Sequence, residues 1–588
     1  MASAANIVPQ AKPEVSIVFS AAAGLGLRTA EDLCRTVLSR AGFYVFTARE
    51  YMSRVRGGNN STQIRVSTSP VRTATDRMNW LIALSPKLRD NVTEKISPDT
   101  RIVGDAEVIG EEVSALGHGL VDLGLAKRAT ELGGAYYSSM IVAGFMAGIF
   151  ALQEDAADGD IGLAFSGRPE ALEKNKTAFR IGHELGLKQT GGKPALTPQG
   201  STKSGEIFLD GDSAVALGAA AAGCNFMATY PMSPGTGVFT YFSKHAHELD
   251  VVVEQAEDEI SVVNMIVGAS YAGARAMATT SGGGFALMCE GISLAGITET
   301  PIVIHLAQRP GPATGLATRT EQGDIELALY AGHGEFPRAL YSPINIESAF
   351  RTSGKAFETA WKYQTPAFIL TDQYLLDNAY DVERPDPNTI EPTTRPVAAG
   401  KDYKRYDLNA PDGVSPFSVP GLGEDFVSFD SHEHTEDAHI TEDRGLRRRM
   451  VEKRLAKGRA MQHEALPPVV VGGDARRAGT LVVCWGSTFE PLLEALDALS
   501  ALSGSGVALV ACEQIHPLSS EFMDLMETDT RKIFVEGNAT GQFARLVRSQ
   551  TGVFPDHEIH KYDGFQFSAE ELAKELKPLL DTTGEGAR

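Results

Sequence analysis

The residue types that could act on an organic acid are concentrated between residues 230 and 319. The loop TYPMSPGT at 229–236 carries the hydroxyls of Ser233 and Thr236 on a backbone shaped by two prolines and a glycine. It follows a strand-like run and precedes the helical pattern GVFTYFSKHAHE. That is the carboxyl end of a parallel strand, where open α/β sheets bind ligands; the same hydroxyls also suit ordinary helix N-caps. Glu254, Glu257, Asp258 and Glu259 come next, at a strand end and the start of a long apolar helix. Acidic residues commonly favour helix N-termini. Glu259, however, borders Ile260, Val262, Val263, Met265, Ile266 and Val267, and a carboxyl at the edge of such a run can be buried and hold its proton more tightly. Ser281-Gly-Gly-Gly284 opens another helix with backbone N–H groups able to take an anion or a carbonyl oxygen. Arg309 ends the strand-like IVIHLAQ, and Arg319 follows in PGPATGLATRTEQGD. Guanidinium groups at strand ends suit carboxylates, although surface ion pairing is their commoner use. A further cluster, His432, His434 and His439 in DSHEHTEDAHITED, has residue types that could bind a metal. Its acidic, irregular surroundings favour a solvated or partner-contacting loop.

Elements of three α/β series must position these groups. The chain has 588 residues, 43% of them hydrophobic, enough for about three or four domains with real cores. A strand-like run at 15–20, a glycine-containing turn, a helical pattern and a second strand-like run at 43–47 read as a βα unit of a parallel sheet. Its turn, GLGLRT, lacks the full GxGxxG spacing, which weighs against a nucleotide-binding regulatory domain. The predicted organisation is a first domain over 1–190, a Gly/Pro/Ser/Thr/Lys-rich linker over 191–205, a second α/β domain over 206–380, an irregular connecting segment over 381–477 with a charged helical piece at 442–458, and a third α/β domain over 478–588.

The formal net charge of -21 argues against nucleic-acid binding. The five cysteines, at 34, 224, 289, 484 and 512, form no CxxC pair. Neither a disulfide framework nor a zinc or iron–sulfur site is therefore expected from this chain alone. The N-terminus lacks a basic start followed by an apolar run, and no stretch approaches the roughly 18 apolar residues of a membrane span. A cytoplasmic enzyme with no membrane contact is expected.

Taken in order, ATYPMSPGT, EDEISVVNMIVGASYAGARAMATTSGGG and EGISLAGITETPIVIHLAQRPGPATGLATRTEQGD resemble the α subunit of the 2-oxoacid:ferredoxin oxidoreductases. CWGST and VEGNATGQFARLVRSQTG fit that family's last domain, and REYMSRVRGG at 49–58 resembles its γ subunit. The chain thus looks like a γ–α fusion, nearest to the two-subunit 2-oxoglutarate type. The resemblance implies an α/β, multidomain fold of parallel-sheet domains: a γ-type domain, a thiamine-diphosphate pyrimidine-binding domain and a transketolase C-terminal-like domain. Two departures stand out. GLGLRT replaces a turn closer to GxGGQG, so Gly24 and Gly26 carry no assigned ligand role, and Phe417 stands where the family often has Arg.

The resemblance also implies roles. Thiamine diphosphate, shared with a β subunit, would have Glu259 as the carboxyl on its aminopyrimidine ring, with Tyr230 and Pro231 beside it. Glu254 and Glu257 suit that role less well. Ser233 would bond the substrate carboxylate or carbonyl, Arg309 would pair with the carboxylate, and Thr318 and Arg319 would take a distal carboxylate. Coenzyme A, the co-substrate, would lie near Arg54, Arg56 and Gly57. No metal site is expected on this chain; Mg2+ and an iron–sulfur cluster belong to the expected β subunit. The implied reaction interconverts 2-oxoglutarate plus CoA with succinyl-CoA plus CO2, with ferredoxin as electron partner, in a dimer of αβ heterodimers. Two alternatives remain. Pyruvate or another 2-oxoacid would leave Arg319 without a distal partner, and a non-catalytic scaffold subunit would leave Glu259 facing solvent.

Overall fold

A computed structural model of the chain describes residues 13–22, 27–52, 59–198, 205–390, 392, 394–504 and 506–581. Gly24, Gly26, Arg54, Arg56 and Gly57 lie outside the described residues. The chain forms two compact units. The first comprises Met1–Phe208, Asn378–Arg384 and Ser568–Glu570; the second comprises Leu209–Asp377, Pro385–Phe567 and Glu571–Arg588.

In the first unit an eight-stranded sheet runs, from one edge to the other, Leu120–Asp122, Arg101–Gly104, Trp80–Ala83, Glu14–Ala22, Asn59–Ser67, Tyr44–Glu50, Ala379–Glu383 and Glu206–Asp210. The strands predicted at 15–20 and 43–47 are present, but they are not neighbours. Asn59–Ser67 lies between them and pairs antiparallel with both, so this part of the sheet is mixed rather than parallel. Its sequence, NNSTQIRVS, hides a buried strand because its long polar side chains are satisfied internally. Gln63 donates to Thr75 O at 2.8 Å, and Arg65 donates to Thr73 O at 2.6 Å and pairs with Glu14. The strand Glu206–Asp210, expected to open the second domain, instead forms an edge of this first sheet. Helices Ser138–Ile149 and Pro169–Thr190 cover the sheet's core. They meet backbone to backbone: a Cβ at Gly144 would strike Phe179 O, and one at Gly182 would strike Ile141 O. Among the described residues no single helix is long and apolar enough to cross a membrane.

The second unit holds two sheets over one continuous apolar core. The larger runs Gln514–His516, Ala339–Tyr341, Pro366–Asp372, Ile302–Gln308, Ala276–Thr280, Phe226–Thr229, Val252–Gln255. It is parallel except at its first pair. PAFILTD and IVIHLAQ are buried at every position, as expected for parallel strands covered on both faces. The smaller sheet runs Val469–Val471, Val507–Cys512, Thr480–Trp485, Arg531–Glu536, His557–His560. Because the core is shared, most of the parts predicted as separate domains at 206–380 and 478–588 pack within one unit.

The charged helical piece becomes the helix Arg444–His463, and it is not merely solvated. Lys453 and Lys457 are buried and both pair with the buried Glu299, Lys453 at 2.7 Å. Arg405 bonds the Thr298 carbonyl at 3.2 Å and Gln364 Oε1 at 2.7 Å. Burial alone would raise the Glu299 carboxyl, but Lys457, Lys453 and Arg405 together hold it well below the ordinary carboxylate range. Glu299→Ala would leave these cations uncompensated. It is expected to lower the unfolding free energy by about 3–5 kcal/mol, read from a urea titration. In the same segment Phe417 packs edge-on against Trp361 at 5.5 Å and lies under the Arg405 guanidinium. His434 is buried with its ring 3.9 Å from that of Tyr406.

Candidate active site

The carboxyl ends of the parallel strands in the larger sheet of the second unit carry the site. The loop 230–235 leaves the strand Phe226–Thr229 and enters the helix Thr236–Leu249. Its position is fixed from inside the sheet. Thr279 Oγ1 donates to Gly235 O at 3.1 Å and shares a 2.8 Å bond with His305 Nδ1, while His305 Nε2 meets Thr371 Oγ1 at 2.7 Å. Burial pushes the His305 ring down to about 3, so it is neutral. Arg309, just past the end of Ile302–Gln308, donates from Nη1 to Ser233 O at 2.7 Å. Burial lowers its guanidinium and the charge of Asp324 opposes the shift. Ser233 and Arg309 are therefore brought together.

The four acids of the next strand–helix junction separate clearly. Glu254 and Glu257 are exposed. Asp258 caps the helix Glu259–Tyr271, its Oδ1 accepting from Ser261 N at 2.7 Å. Glu259 alone is buried, at 2% exposure, and its Oε1 has no hydrogen-bond partner among the described residues. Burial raises its carboxyl; the nearby charge of Asp258 adds to this, while its own backbone amide and the Thr280 hydroxyl pull the other way. The Ser281-Gly-Gly-Gly284 stretch explains how it is enclosed: a Cβ on Gly284 would overlap both Thr280 Oγ1 and Glu259 Oε1. A buried carboxyl whose proton affinity is raised, with one unsatisfied oxygen against a glycine backbone, fits the ring nitrogen of an aminopyrimidine.

Comparison with known proteins identifies the family. Residues 217–453 match the family model described as pyruvate flavodoxin/ferredoxin oxidoreductase, thiamine diphosphate-binding, and residues 16–185 match pyruvate ferredoxin/flavodoxin oxidoreductase. The chain is 28% identical to the α subunit of 2-oxoacid:ferredoxin oxidoreductase 2 of Aeropyrum pernix, covering 97% of this chain and 98% of that one. It is 31% identical to the 2-oxoglutarate synthase subunit KorA of Archaeoglobus fulgidus, over 58% of this chain and 90% of the relative. The chain belongs to the 2-oxoacid:ferredoxin oxidoreductases. A solved 2-oxoglutarate:ferredoxin oxidoreductase from Magnetococcus marinus, with 2-oxoglutarate, coenzyme A and succinyl-CoA bound, superposes with a TM-score of 0.88 at 27% identity, covering 97% of this chain and all of that one.

In this 2-oxoacid:ferredoxin oxidoreductase subunit the other expected residues divide. Tyr230 and Pro231 are exposed on the loop. Thr318 and Arg319 are half-buried; Arg319 Nη1 donates to Thr318 O at 2.9 Å, and its guanidinium lies 4.9 Å from the centre of the Phe565 ring. The loop carrying them is pinned by buried Gln322, which donates to Trp485 O at 2.8 Å and accepts from Gly537 N at 2.7 Å. Trp485 of CWGST and Gly537 of VEGN thus anchor this loop.

One group was missed. Asp324 follows Gln322 in the same loop, with Oδ2 buried and lacking a partner among the described residues. Burial, helped by Glu321 and opposed by Arg309, pushes its carboxyl up to about 7. Its sequence signal was only an acid before the short apolar helix Ile325–Leu329, which reads as ordinary helix-start chemistry.

Proposed function

We propose that this chain supplies the carboxyl-bearing half of a thiamine-dependent site that interconverts 2-oxoglutarate plus CoA with succinyl-CoA plus CO2, passing electrons to ferredoxin. The burial of Glu259 with an unsatisfied oxygen carries the reading. A buried carboxyl whose proton affinity is raised can share a proton with a ring nitrogen. Thiamine diphosphate, when bound, supplies the nucleophilic carbon and the electron sink for loss of CO2. Arg309 and Ser233, already joined, form the cradle for the 2-oxoacid carboxylate. Tyr230 and Pro231 flank the cofactor. A scaffold role would call for a solvent-facing Glu259.

The remaining parts belong to a β subunit: Mg2+, the iron–sulfur cluster and the ferredoxin contact. Exposed Tyr230, Ile260, Leu287 and Leu316, on the same elements as the site residues, support docking of that partner here. The functional assembly in this reading is a cytoplasmic dimer of αβ heterodimers. A γ-type domain over 1–190 would help hold CoA through Arg54, Arg56 and Gly57, with a pyrimidine-binding domain over 206–380 and a transketolase C-terminal-like domain over 478–588.

For the substrate, 2-oxoglutarate is favoured over pyruvate because Thr318 and Arg319 offer a hydroxyl and a cation on a pinned loop, and because the Magnetococcus marinus enzyme binds 2-oxoglutarate. Arg319→Ala in the assembled complex is expected to raise KM for 2-oxoglutarate about ten- to hundredfold and KM for pyruvate about twofold or less. Equal effects on both acids would remove the distal-carboxylate role.

A further inference from the structure

A cleft of about 280 Å3 opens in the second unit beside the amino end of the strand Ala276–Thr280. Arg275, immediately before that strand, lies in its wall, and the backbone there is held by Arg275 N donating to Asn225 Oδ1 at 2.8 Å. The Thr280 hydroxyl, at the strand's other end, meets Glu259. The strand's rise separates the two ends by about 16 Å, so the cleft is not part of the site built around Glu259. The helix Ile346–Tyr363 brings Arg351 and Lys355, one turn apart, to the same cleft, and Ala222, Ile390 and Leu466 give it an apolar wall.

Charge in the cleft is unbalanced. Its two acids are each held by a cation: Glu513 by Arg351 at 2.8 Å, and Glu358 by Lys355 at 3.2 Å. Among the described residues no carboxylate pairs with Arg275. Its one side-chain hydrogen bond runs from Nη2 to Thr394 O at 2.5 Å, and its guanidinium lies 4.9 Å from the centre of the Trp361 ring. Burial, and then the positive charge of Arg395, lower the guanidinium to about 10, which leaves it charged at neutral pH. A partly buried cation set among a carbonyl, an aromatic face and a second cation gains most from an anion. Its remaining N–H groups can take two oxygens of a phosphate or carboxylate side by side, and the Lys355 ammonium adds a point charge. The volume suits a small metabolite and is too small for coenzyme A. We propose that this cleft is a binding site for a small anionic metabolite bearing phosphate or carboxylate groups, with Arg275 as its anchor and Lys355 as its second cation. The ligand binds without forming a covalent bond, and the apolar wall receives its carbon skeleton.

Calorimetric titration of the co-purified complex at low salt tests the site, with inorganic phosphate, pyrophosphate and citrate as probes. The first two report phosphate chemistry and the third carboxylate chemistry. Wild type is expected to bind at least one of them with a Kd of about 1 mM or tighter. Arg275→Gln should weaken that binding about tenfold or more, and Lys355→Gln about threefold or more, as expected for lost charge-assisted hydrogen bonds. Anions that enter the Glu259 site bind wild type and variants alike, so the difference reports the cleft. Turnover of 2-oxoglutarate without added anion should stay within about twofold of wild type in both variants. If R275Q fails to assemble, K355Q alone decides. Absence of binding to wild type by all three probes, or equal binding by wild type and the assembled variants, overturns the proposal.

Discussion

Glu259→Gln should reduce 2-oxoacid-dependent ferredoxin reduction by the assembled complex about a hundred- to ten-thousandfold, the range ascribed to a positioned general acid–base group. The substitution is nearly isosteric, so the buried packing around the helix start and the Asp258 cap are preserved. What changes is proton chemistry. Burial raises the proton affinity of the carboxyl, which can exchange a proton at Oε1, the oxygen with no other partner among the described residues. The amide can donate a hydrogen bond but cannot exchange a proton with the cofactor ring. Co-purification with the β subunit and the unfolding midpoint should stay close to wild type, which separates lost chemistry from lost structure. Activity within about twofold of wild type would remove Glu259 from the mechanism.

Gly284→Ala is expected to have an effect of similar size for a different reason. Alanine is the better helix former by about 1 kcal/mol, so on propensity alone the variant should gain stability. The added Cβ, however, would overlap Thr280 Oγ1 and Glu259 Oε1, two atoms fixed in the buried site. Either the helix Gly282–Leu287 shifts or the Glu259 carboxyl turns away. Overpacking of this kind costs about 1–3 kcal/mol, offsetting the propensity gain, and a displacement of about 1 Å at a catalytic group can cost about a hundredfold in rate. The variant should therefore unfold near the wild-type midpoint while losing about a hundredfold in kcat, with a smaller change in KM. Wild-type kcat in G284A would show that the glycine backbone does not confine Glu259.

Much of this site is legible in the sequence because its signals are local. Glu259 borders a run of apolar residues on one helix, so its burial follows from neighbours in the chain. The loop 229–236 and Arg309 both sit where strand-like runs end. Their roles are another matter: an N-capping loop and a surface arginine read the same way, and only the family resemblance joined them into one site. The burial of Asp324 is not legible because the groups it lies against, Gly282 and Gln308, are distant in sequence and approach it only once the sheet has formed. The buried charge cluster was hidden likewise. Lys453 and Lys457 lie in a run of basic residues that reads as a solvated face, and their counter-charge, Glu299, is distant in sequence. The antiparallel strand Asn59–Ser67 escaped for the same physical reason, since its polar side chains find partners only after the sheet has formed.

Succinyl-CoA formation tests most directly whether this chain completes a thiamine-dependent 2-oxoacid site. The chain co-purified with its β subunit is supplied with thiamine diphosphate, Mg2+, CoA, oxidised ferredoxin and 2-oxoglutarate. Succinyl-CoA and reduced ferredoxin should appear together, in the ratio of one to two electrons, and neither should form when this chain is omitted. Ferredoxin reduction without an acyl-CoA product, or equal turnover by the β subunit alone, would contradict a shared site.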